Sequence, residues 1–391
     1  IENIDIGGRA MVRSADKTYE DVTVLTSSFQ YDELIKELNI NNGSTSLKFR
    51  EKMSRLAFTE TAYYDSIISN YFNKISNIHF PAKKIFNANL IDKPRYGENP
   101  HQISAVYSKN SQLNFKQLNG KQLSYNNYND IFAALTISKS LPKNTGTVII
   151  KHENPCGVSI KKDHLESYKS ALSCDPISAF GGVISFNFKV TNKLALELNK
   201  LFLEVIIANG FDHNSLKLLK TKKNLRLIDS SNYSLNENLK YSSKNEEILF
   251  QSEDNHKFYP KDFKVVSKKK PNMKQMKNLI IAFNVCRYSK SNAIVIAADK
   301  TTVGIGSGQP SRLDSCQIAI DKMKKFNDIK NNLVAASDAF FPFVDGVEKL
   351  VQSGVRAIIQ PKGSVKDKDV INFANQTGTI LIFSKTRHFR H

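Results

Sequence analysis

The stretch Thr147-Val148-Ile149-Ile150-Lys151-His152-Glu153-Asn154-Pro155-Cys156-Gly157 decides the fold class. It opens with four apolar or β-branched residues and then breaks into charge, Pro and Gly. That is the pattern of a buried strand opening into a loop. In α/β proteins, ligands gather at the carboxyl ends of such strands. Here the strand end delivers an ammonium and an imidazole side by side. Neighbouring side chains of a regular strand point to opposite faces. Lys151 and His152 therefore serve one site only where the backbone turns irregular, and Pro155 and Gly157 supply the expected irregularity. Read by itself, a Lys-His pair at a strand end is usually a solvated loop.

A metal reading competes. His-x-Glu followed by Pro-Cys marks nucleobase deaminases, whose zinc needs one His and two Cys. In this chain the order is Lys-His-Glu, Pro155-Cys156 follows almost at once, and no second Cys stands at Pro-Cys-x-x-Cys spacing. The zinc reading fails on ligand count, and no catalytic metal is expected.

Working outward, strands and helices alternate on both sides. Residues 86–240 read as strand Ala105-Val106-Tyr107, a helix from Asp130, strand 147–150, a helix from His164, strand Gly182-Val183-Ile184, a helix from Asn192 and strand Val205-Ile206-Ile207. Residues 221–275, rich in Lys, Asn and Ser, read as a polar excursion. A second α/β series follows: a helix around 276–286, strands 293–297 and 302–305, a helix after Pro310, and strands 357–359 and 379–381. No short internal repeat is visible. Upstream, Asp21–Leu25 reads as a strand and Tyr31 opens a helix that Asn41-Asn42-Gly43 stops. Ser46–Ser76 reads as a long amphipathic helix, with Met53, Leu56, Ala57, Phe58, Tyr63, Ile67 and Tyr71 near helical spacing. One strand and two helices cannot enclose a core, so this segment must lean on the rest of the chain or on a partner.

The 391 residues suffice for two or three domains, and an apolar fraction of 40% is ordinary for a globular protein. No apolar run is long enough to span a bilayer, and no stretch of these residues reads as a signal peptide. The four cysteines, Cys156, Cys174, Cys286 and Cys316, show neither metal nor disulfide spacing, which suits a reducing cytoplasm. The net charge of +19 suits nucleic acid, but Lys is spread thinly and no nucleic-acid-binding motif occurs. A positive potential that gathers anionic small molecules fits better.

Several motifs accompany the Lys-His pair in order: Arg95-Tyr96-Gly97-Glu98-Asn99-Pro100-His101-Gln102, Ser178-Ala179-Phe180-Gly181-Gly182, Ser291-Asn292, Gly304-Ile305-Gly306-Ser307-Gly308-Gln309-Pro310-Ser311-Arg312, Ser337-Asp338-Ala339-Phe340-Phe341-Pro342-Phe343 and Thr386-Arg387-His388-Phe389-Arg390-His391. Together they resemble the bifunctional purine-biosynthesis family that joins aminoimidazole carboxamide ribonucleotide (AICAR) transformylase to IMP cyclohydrolase, from Ile1 to His391. Any one motif alone is weak.

The resemblance implies two cytidine-deaminase-like α/β subdomains, about 86–240 and 260–391, forming a transformylase over 86–391. Before it would lie the remnant, 1–85, of an α/β cyclohydrolase domain of methylglyoxal-synthase-like fold. The chain opens in mid-motif at Ile1, so a missing N-terminal segment and weak or absent cyclohydrolase activity are expected. The implied reaction moves a formyl group from 10-formyltetrahydrofolate, a co-substrate, to the 5-amino group of AICAR. That amine is a poor nucleophile, so a base must take its proton while a cation steadies the oxyanion. His152 resembles the base and Lys151 the cation. Arg95, Tyr96, Asn127, Gly181, Glu204, Asn292, Phe340 and Arg387 resemble AICAR-binding positions, although the family usually has Asp at Glu204. Arg312, Leu313, Asp345, Ser364 and Val365 resemble folate-binding positions. Gly304-x-Gly306-x-Gly308 is not a Walker loop, since no Gly-Lys-Ser/Thr follows.

On the cyclohydrolase side, Lys17 matches a catalytic lysine, and Asp5 and Ile6 match IMP-binding positions. Arg9, Thr18 and Glu246-Glu247 depart from the family pattern. The resemblance further implies a homodimer with shared sites, in which Lys151 and Arg95 face the partner's counterparts of Asn292, Phe340 and Arg387. The competing reading is a basic nucleic-acid-binding protein on an inactive metabolic fold.

Overall fold

The computed structural model describes residues 1–235, 239–256, 258–327 and 331–391. The chain divides into two units. The first holds Ile1–Ile91 and Tyr107–Gln112, and the second holds Asp92–Val106 and Leu113–His391.

Unit 1 is built on helices α1 (Gly7–Lys17), α2 (Tyr31–Ile40) and α3 (Leu47–Ile75), followed by the short strands β1 (Asn89–Asp92) and β2 (Val106–Ser108). The long helix starts where its sequence says it should. The Ser46 side chain accepts the Phe49 N–H and caps the first turn. Asn42 and Gly43 take positive φ of 53° and 87° and stop α2. Met53 and Ala57 are fully buried on the inner stripe of α3, whereas Phe58, Ile67 and Tyr71 are exposed. The expected strand Asp21–Leu25 does not form, because it pairs with no other strand among the described residues.

Asp16 on α1 is buried, and neither of its carboxylate oxygens has a hydrogen-bond partner among the described residues. Burial pushes this carboxyl up to about 6. A raised pKa means that folding favours the protonated form. The contribution is present below the ordinary carboxylate range and is lost as pH rises through about 6. Asp16→Asn is therefore expected to stabilise the chain at about pH 8 by about 1–3 kcal/mol and to change little at about pH 4. Thermal melts at both pH values check this; an equal gain at both would overturn it.

Unit 2 is organised by a 12-stranded mixed sheet ordered β11-β16-β15-β14-β12-β13-β5-β4-β6-β7-β8-β3. Its first half contains β3 (Lys116–Asn119), α4 (Tyr125–Ser140), β4 (Gly146–Lys151), β5 (Asn154–Ile160), α5 (His164–Leu172), β6 (Val183–Phe186), α6 (Asn192–Leu198), β7 (Val205–Ala208), α7 (His213–Leu219) and β8 (Arg226–Asp229). A separate ribbon, β9 (Leu239–Lys244) with β10 (Glu247–Ser252), occupies the polar excursion, which thus contains paired strands. The second half contains β11 (Phe263–Val265), α8 (Met273–Tyr288), β12 (Ile294–Ala298), β13 (Thr301–Gly306), α9 (Arg312–Phe326), β14 (Val334–Ser337), α10 (Asp345–Gln352), β15 (Ala357–Pro361), α11 (Asp367–Gln376) and β16 (Ile380–Ser384).

The two halves repeat one topology. In the first, β4 is antiparallel to β5 and β6, and β6, β7 and β8 are parallel. In the second, β12 is antiparallel to β13 and β14, and β14, β15 and β16 are parallel. The repetition reaches single atoms. The Glu153 N–H donates to Asp130 Oδ1 at 2.7 Å, and the Lys300 N–H donates to Asn278 Oδ1 at 2.8 Å. A Cβ on Gly157 would lie 1.9 Å from the Ala171 carbonyl oxygen, and one on Gly304 would lie 2.1 Å from that of Ala319. Both glycines let a helix backbone press onto its strand.

Helices cover both faces of the sheet, so its strands are apolar on both sides. Val148 and Ile150 pack with α4 and α8, while Ile149 packs with the opposite layer, which includes α5 and α6.

The halves meet where β13 runs antiparallel to β5, with Thr301 opposite Ser159. This junction fixes the geography of the site. The carboxyl ends of β4, β13, β14, β15 and β16 reach one edge of the sheet, together with the amino ends of β5, β6, β7, β8 and β12.

Candidate functional site

Lys151, His152, Gly181, Glu204, Asn292, Arg312, Phe340, Asp345, Ser364 and Arg387 all lie at that edge, on strand ends or on the segments that continue them. In the second half Arg312, Phe340, Asp345, Ser364 and Arg387 follow carboxyl ends, as α/β sheets generally arrange their ligand contacts, and Asn292 precedes β12. In the first half Gly181 and Glu204 precede β6 and β7, because the antiparallel junction turns that half around.

The Lys-His pair sits at a hairpin. Lys151 pairs with Asn154 across β4 and β5, leaving His152 and Glu153 as a two-residue connection. Both have positive φ, 51° and 61°, as a type I′ turn requires. The irregularity expected from Pro155 and Gly157 is thus located in His152 itself. Pro155 instead pairs with Ile150 inside β5, beside a register shift, and Gly157 makes room for α5. Left-handed backbone costs a non-glycine residue about 1–2 kcal/mol, and neighbouring groups hold it here. Asp130 accepts the Glu153 N–H, Asn154 Nδ2 donates to the His152 carbonyl at 3.0 Å, and the Lys290 N–H donates to Asn154 Oδ1 at 3.2 Å.

Asp130 was expected to open its helix. The start lies earlier, at Ser124, which forms a reciprocal cap with Asn127. Asp130 is therefore well inside α4, beneath the turn, and burial raises its carboxyl pKa. It is a functional candidate that sequence reasoning missed; the only signal was an acid within an otherwise apolar helix face. If His152 acts as a base, Asp130→Ala is expected to lower turnover about tenfold with a smaller change in KM, since misplacing that base affects the chemical step more than binding. Asp130→Asn, which keeps an acceptor for the Glu153 N–H, should recover much of the loss. Equal kcat in all three proteins would remove Asp130 from this role.

Lys151 Nζ donates to the Gly181 carbonyl at 2.7 Å. Gly181 has φ of 65°, and a Cβ there would sit 3.3 Å from Lys151 Nζ. Asn127 Nδ2 donates to Glu204 Oε2 at 2.9 Å, so these two polar candidates form one pair. The adjacent Asn126 instead reaches the Glu98 carbonyl at 3.2 Å and ties the loop bearing Arg95 and Tyr96 to the start of α4. Arg95 is exposed, with its guanidinium 5.5 Å from the Tyr96 ring centre.

The second cluster is tightly wired. Arg312 is buried, ion-paired with the fully buried Asp338, and hydrogen-bonded to Ser337 Oγ at 2.8 Å and Asn292 Oδ1 at 2.6 Å. Its guanidinium is thereby committed to positioning Asn292. Asn292 Nδ2 donates to the carbonyls of Gln309 and Pro310. Asp338 also accepts Ser291 Oγ–H at 2.6 Å, and its carbonyl accepts the His388 N–H at 3.0 Å, which holds the C-terminal segment beside it. Arg387 is exposed, its guanidinium 4.6 Å from the Phe389 ring centre, and Phe340 is half-buried.

The folate candidates are more dispersed. Leu313 lies on the first turn of α9 and Asp345 opens α10, while Ser364 and the 98% exposed Val365 lie in the loop after β15. Gly304 and Gly306 serve close packing of α9, whose carbonyl oxygens would lie 2.1 and 2.0 Å from added Cβ atoms.

Asp5, Ile6 and Lys17 fall on unit 1. Asp5 Oδ1 accepts the Gly8 N–H at 3.0 Å and its own N–H donates to Tyr64 Oη at 2.9 Å; Arg9 lies 4.1 Å over the Tyr64 ring. Lys17 is the exposed last residue of α1. Glu246 lies between β9 and β10, and Glu247 begins β10.

Among the described residues, no group of three or more His, Cys, Asp or Glu side chains is placed to hold a metal, and no helix is long and apolar enough to cross a membrane. Cys156 is buried, and burial pushes its thiol up to about 12.

Residues 15–322 match the family model described as the AICARFT/IMPCHase bienzyme. The chain is 42% identical over 406 residues to the bifunctional purine biosynthesis protein PurH of Bradyrhizobium diazoefficiens. It is 43% identical over 403 residues to that of Persephonella marina and 41% identical over 408 residues to that of Lactobacillus acidophilus. Each match takes in the whole of this chain and 77% of the relative. Its α/β architecture, its ordered motifs and these matches agree: the chain belongs to the AICARFT/IMPCHase bienzyme family.

Proposed function

We propose that this chain, an enzyme of purine biosynthesis, transfers the formyl group of 10-formyltetrahydrofolate to the 5-amino group of AICAR at the edge built around Lys151 and His152. The observation that carries the reading is the placement of the Lys-His turn, the Asn127–Glu204 pair and the Asn292–Arg312–Asp338 cluster at one sheet edge. His152 takes the proton of the attacking amine. The Lys151 ammonium donates to the Gly181 carbonyl at 2.7 Å and the Phe180 carbonyl at 3.5 Å, which leaves its third N–H to steady the oxyanion. The new C–N bond forms at the formyl carbon, the bond to folate N10 breaks, and tetrahydrofolate leaves after N10 is protonated. Arg387 pairs with the nucleotide phosphate and Phe340 packs its ring, while Leu313, Asp345, Ser364 and Val365 face the folate.

The same proposal covers a transformylase made of two cytidine-deaminase-like subdomains over 86–391, a cytoplasmic location, and a cyclohydrolase role for Asp5, Ile6 and Lys17 in the 1–85 segment. A homodimer with shared sites is also proposed. Ile177, Phe180, Phe202, Phe343, Val365 and Phe389 are exposed apolar side chains on segments at the candidate edge, and such a patch calls for a covering surface. The comparisons lend no support to a nucleic-acid-binding role.

The test is tetrahydrofolate release, followed by absorbance, from AICAR plus 10-formyltetrahydrofolate without added metal. Robust release that survives chelation is expected; no release from either co-substrate pairing would overturn the reading.

A further inference from the structure

Unit 2 also contains a cavity of about 1030 Å³ between the C-terminal end of α4 and the length of α8 from Lys277 to Tyr288. Its floor includes Ile160 and Lys300, at the end of β5 and the start of β13 remote from the Lys151–His152 turn. Lys300 occupies the turn position that matches Glu153 in the repeat, with its N–H held by Asn278 instead of Asp130. The duplicated fold thus builds a second turn of the same kind and gives it a cation.

The charge of this cavity is one-sided. Lys139, Lys143, Lys162, Lys277, Arg287 and Lys300 line it, and no carboxylate does among the described residues. Lys143, Lys162, Lys277 and Lys300 are exposed and form no ion pair with described residues. Of the nearby carboxylates, Asp299 pairs with Lys161, Asp254 pairs with His388 and also acts on Arg287, and Asp229 acts on Lys139. Lys139 donates to neutral oxygens, Asn209 Oδ1 at 2.7 Å and the Ser230 carbonyl at 2.9 Å, with the Asp229 carboxylate acting on it without a direct bond.

Arg287 supplies an independent sign. It is 8% exposed and lines the cavity; its Nη atoms donate to the His256 carbonyl, to Asn284 Oδ1 at 2.9 Å and to Tyr288 Oη at 2.6 Å, while its Nε has no hydrogen-bond partner among the described residues. Its guanidinium lies 4.6 Å from the Phe258 ring centre and 4.5 Å from that of Tyr288, both of which line the same cavity. Ile280 and Ile281 add apolar wall, and Asn255 and Asn284 add amides. Asp254 already offsets part of this buried charge, and Nε is the one guanidinium nitrogen left for a ligand acceptor among the described residues.

We propose that this cavity binds a planar heterocycle carrying several negative charges, at a site separate from formyl transfer. Clustered lysines take the charged chain, and the aromatic and isoleucine walls take the ring. The volume exceeds what an inorganic phosphate would fill and suits a ligand of nucleotide size. A nucleoside triphosphate and a polycarboxylated heterocycle share this chemistry. The inference does not depend on the formyl-transfer reading.

The test is calorimetric titration of the full chain, with AICAR in excess, by ATP, folyl triglutamate and inorganic tripolyphosphate. Each is repeated on the Lys143→Glu/Lys162→Glu double variant, whose substitutions lie on exposed loops. At least one of the two organic anions should bind and then weaken about tenfold or more in the variant. The one that weakens identifies the source of the ligand. Formylation kinetics should stay within about twofold, since neither lysine belongs to the candidate active site. Binding of neither organic anion, affinities indifferent to the charge reversal, or tripolyphosphate binding as tightly as the organic anion that responds would each overturn the proposal.

Discussion

His152→Ala is expected to lower the turnover of AICAR formylation by roughly a hundredfold or more, while AICAR affinity stays within a modest factor. The size follows from the amine, whose lone pair is delocalised into the imidazole and carboxamide and whose proton must leave as the bond forms. The turn raises a second possibility that the experiment must separate. His152 has φ of 51°, so Ala there loses the base and also disturbs the backbone preference of the turn. His152→Asn resolves the two effects, because Asn tolerates the left-handed region and carries no base. Both variants should be equally slow if the imidazole acts in proton transfer. An Asn variant with near-normal turnover would assign His152 to the turn alone. Thermal melts of both variants show whether any loss is one of folding.

Much of the architecture can be read in the sequence, and the exceptions have physical causes. The Ser46 cap and the Asn42-Gly43 stop are local signals, and the helices they bound form as read. Strands 147–150 and 205–207 announce themselves by unbroken β-branched runs buried on both faces. The strand Val334–Ser337 carries mostly small residues, and Arg226–Asp229 lies in a Lys- and Asn-rich stretch, so neither has a strong local pattern; both exist because neighbouring strands accept them. Asp21–Leu25 shows the converse, a good local pattern with no strand beside it.

The duplication has no local signature for a similar reason, and two like subdomains were expected only from the resemblance. Its matched positions, such as Asp130 with Asn278 or Gly157 with Gly304, are single residues that a short-repeat search cannot see. The candidate residues were each named from resemblance. Their common edge depends on one long-range register, Thr301 opposite Ser159, which no local pattern encodes. The buried Arg312–Asp338 pair was hidden in the same way, since pairing across a sheet leaves no mark on either segment.

Mixing a Lys151→Ala chain with an Arg387→Ala chain is expected to restore activity that neither has alone. If each site draws Lys151 from one subunit and Arg387 from the other, a mixed dimer carries both lesions in one site and neither in the other. Random pairing makes half the dimers mixed, so recovery reaches up to about a quarter of wild type for independent sites. The fold of one chain sharpens the question. The Lys290 N–H bonded to Asn154 Oδ1 already connects the Lys-His turn to the segment bearing Asn292 within a single subunit. A site assembled entirely in one chain is therefore the rival arrangement, and it forbids recovery. What favours the shared site is the apolar patch at the candidate edge, with Phe180 61%, Phe343 61% and Val365 98% exposed, far more than a catalytic rim needs. A partner laid on that patch would bring its own Arg387 to this chain's Lys151. No recovery after verified subunit exchange would place both residues in one subunit's site, and the patch would then need another occupant.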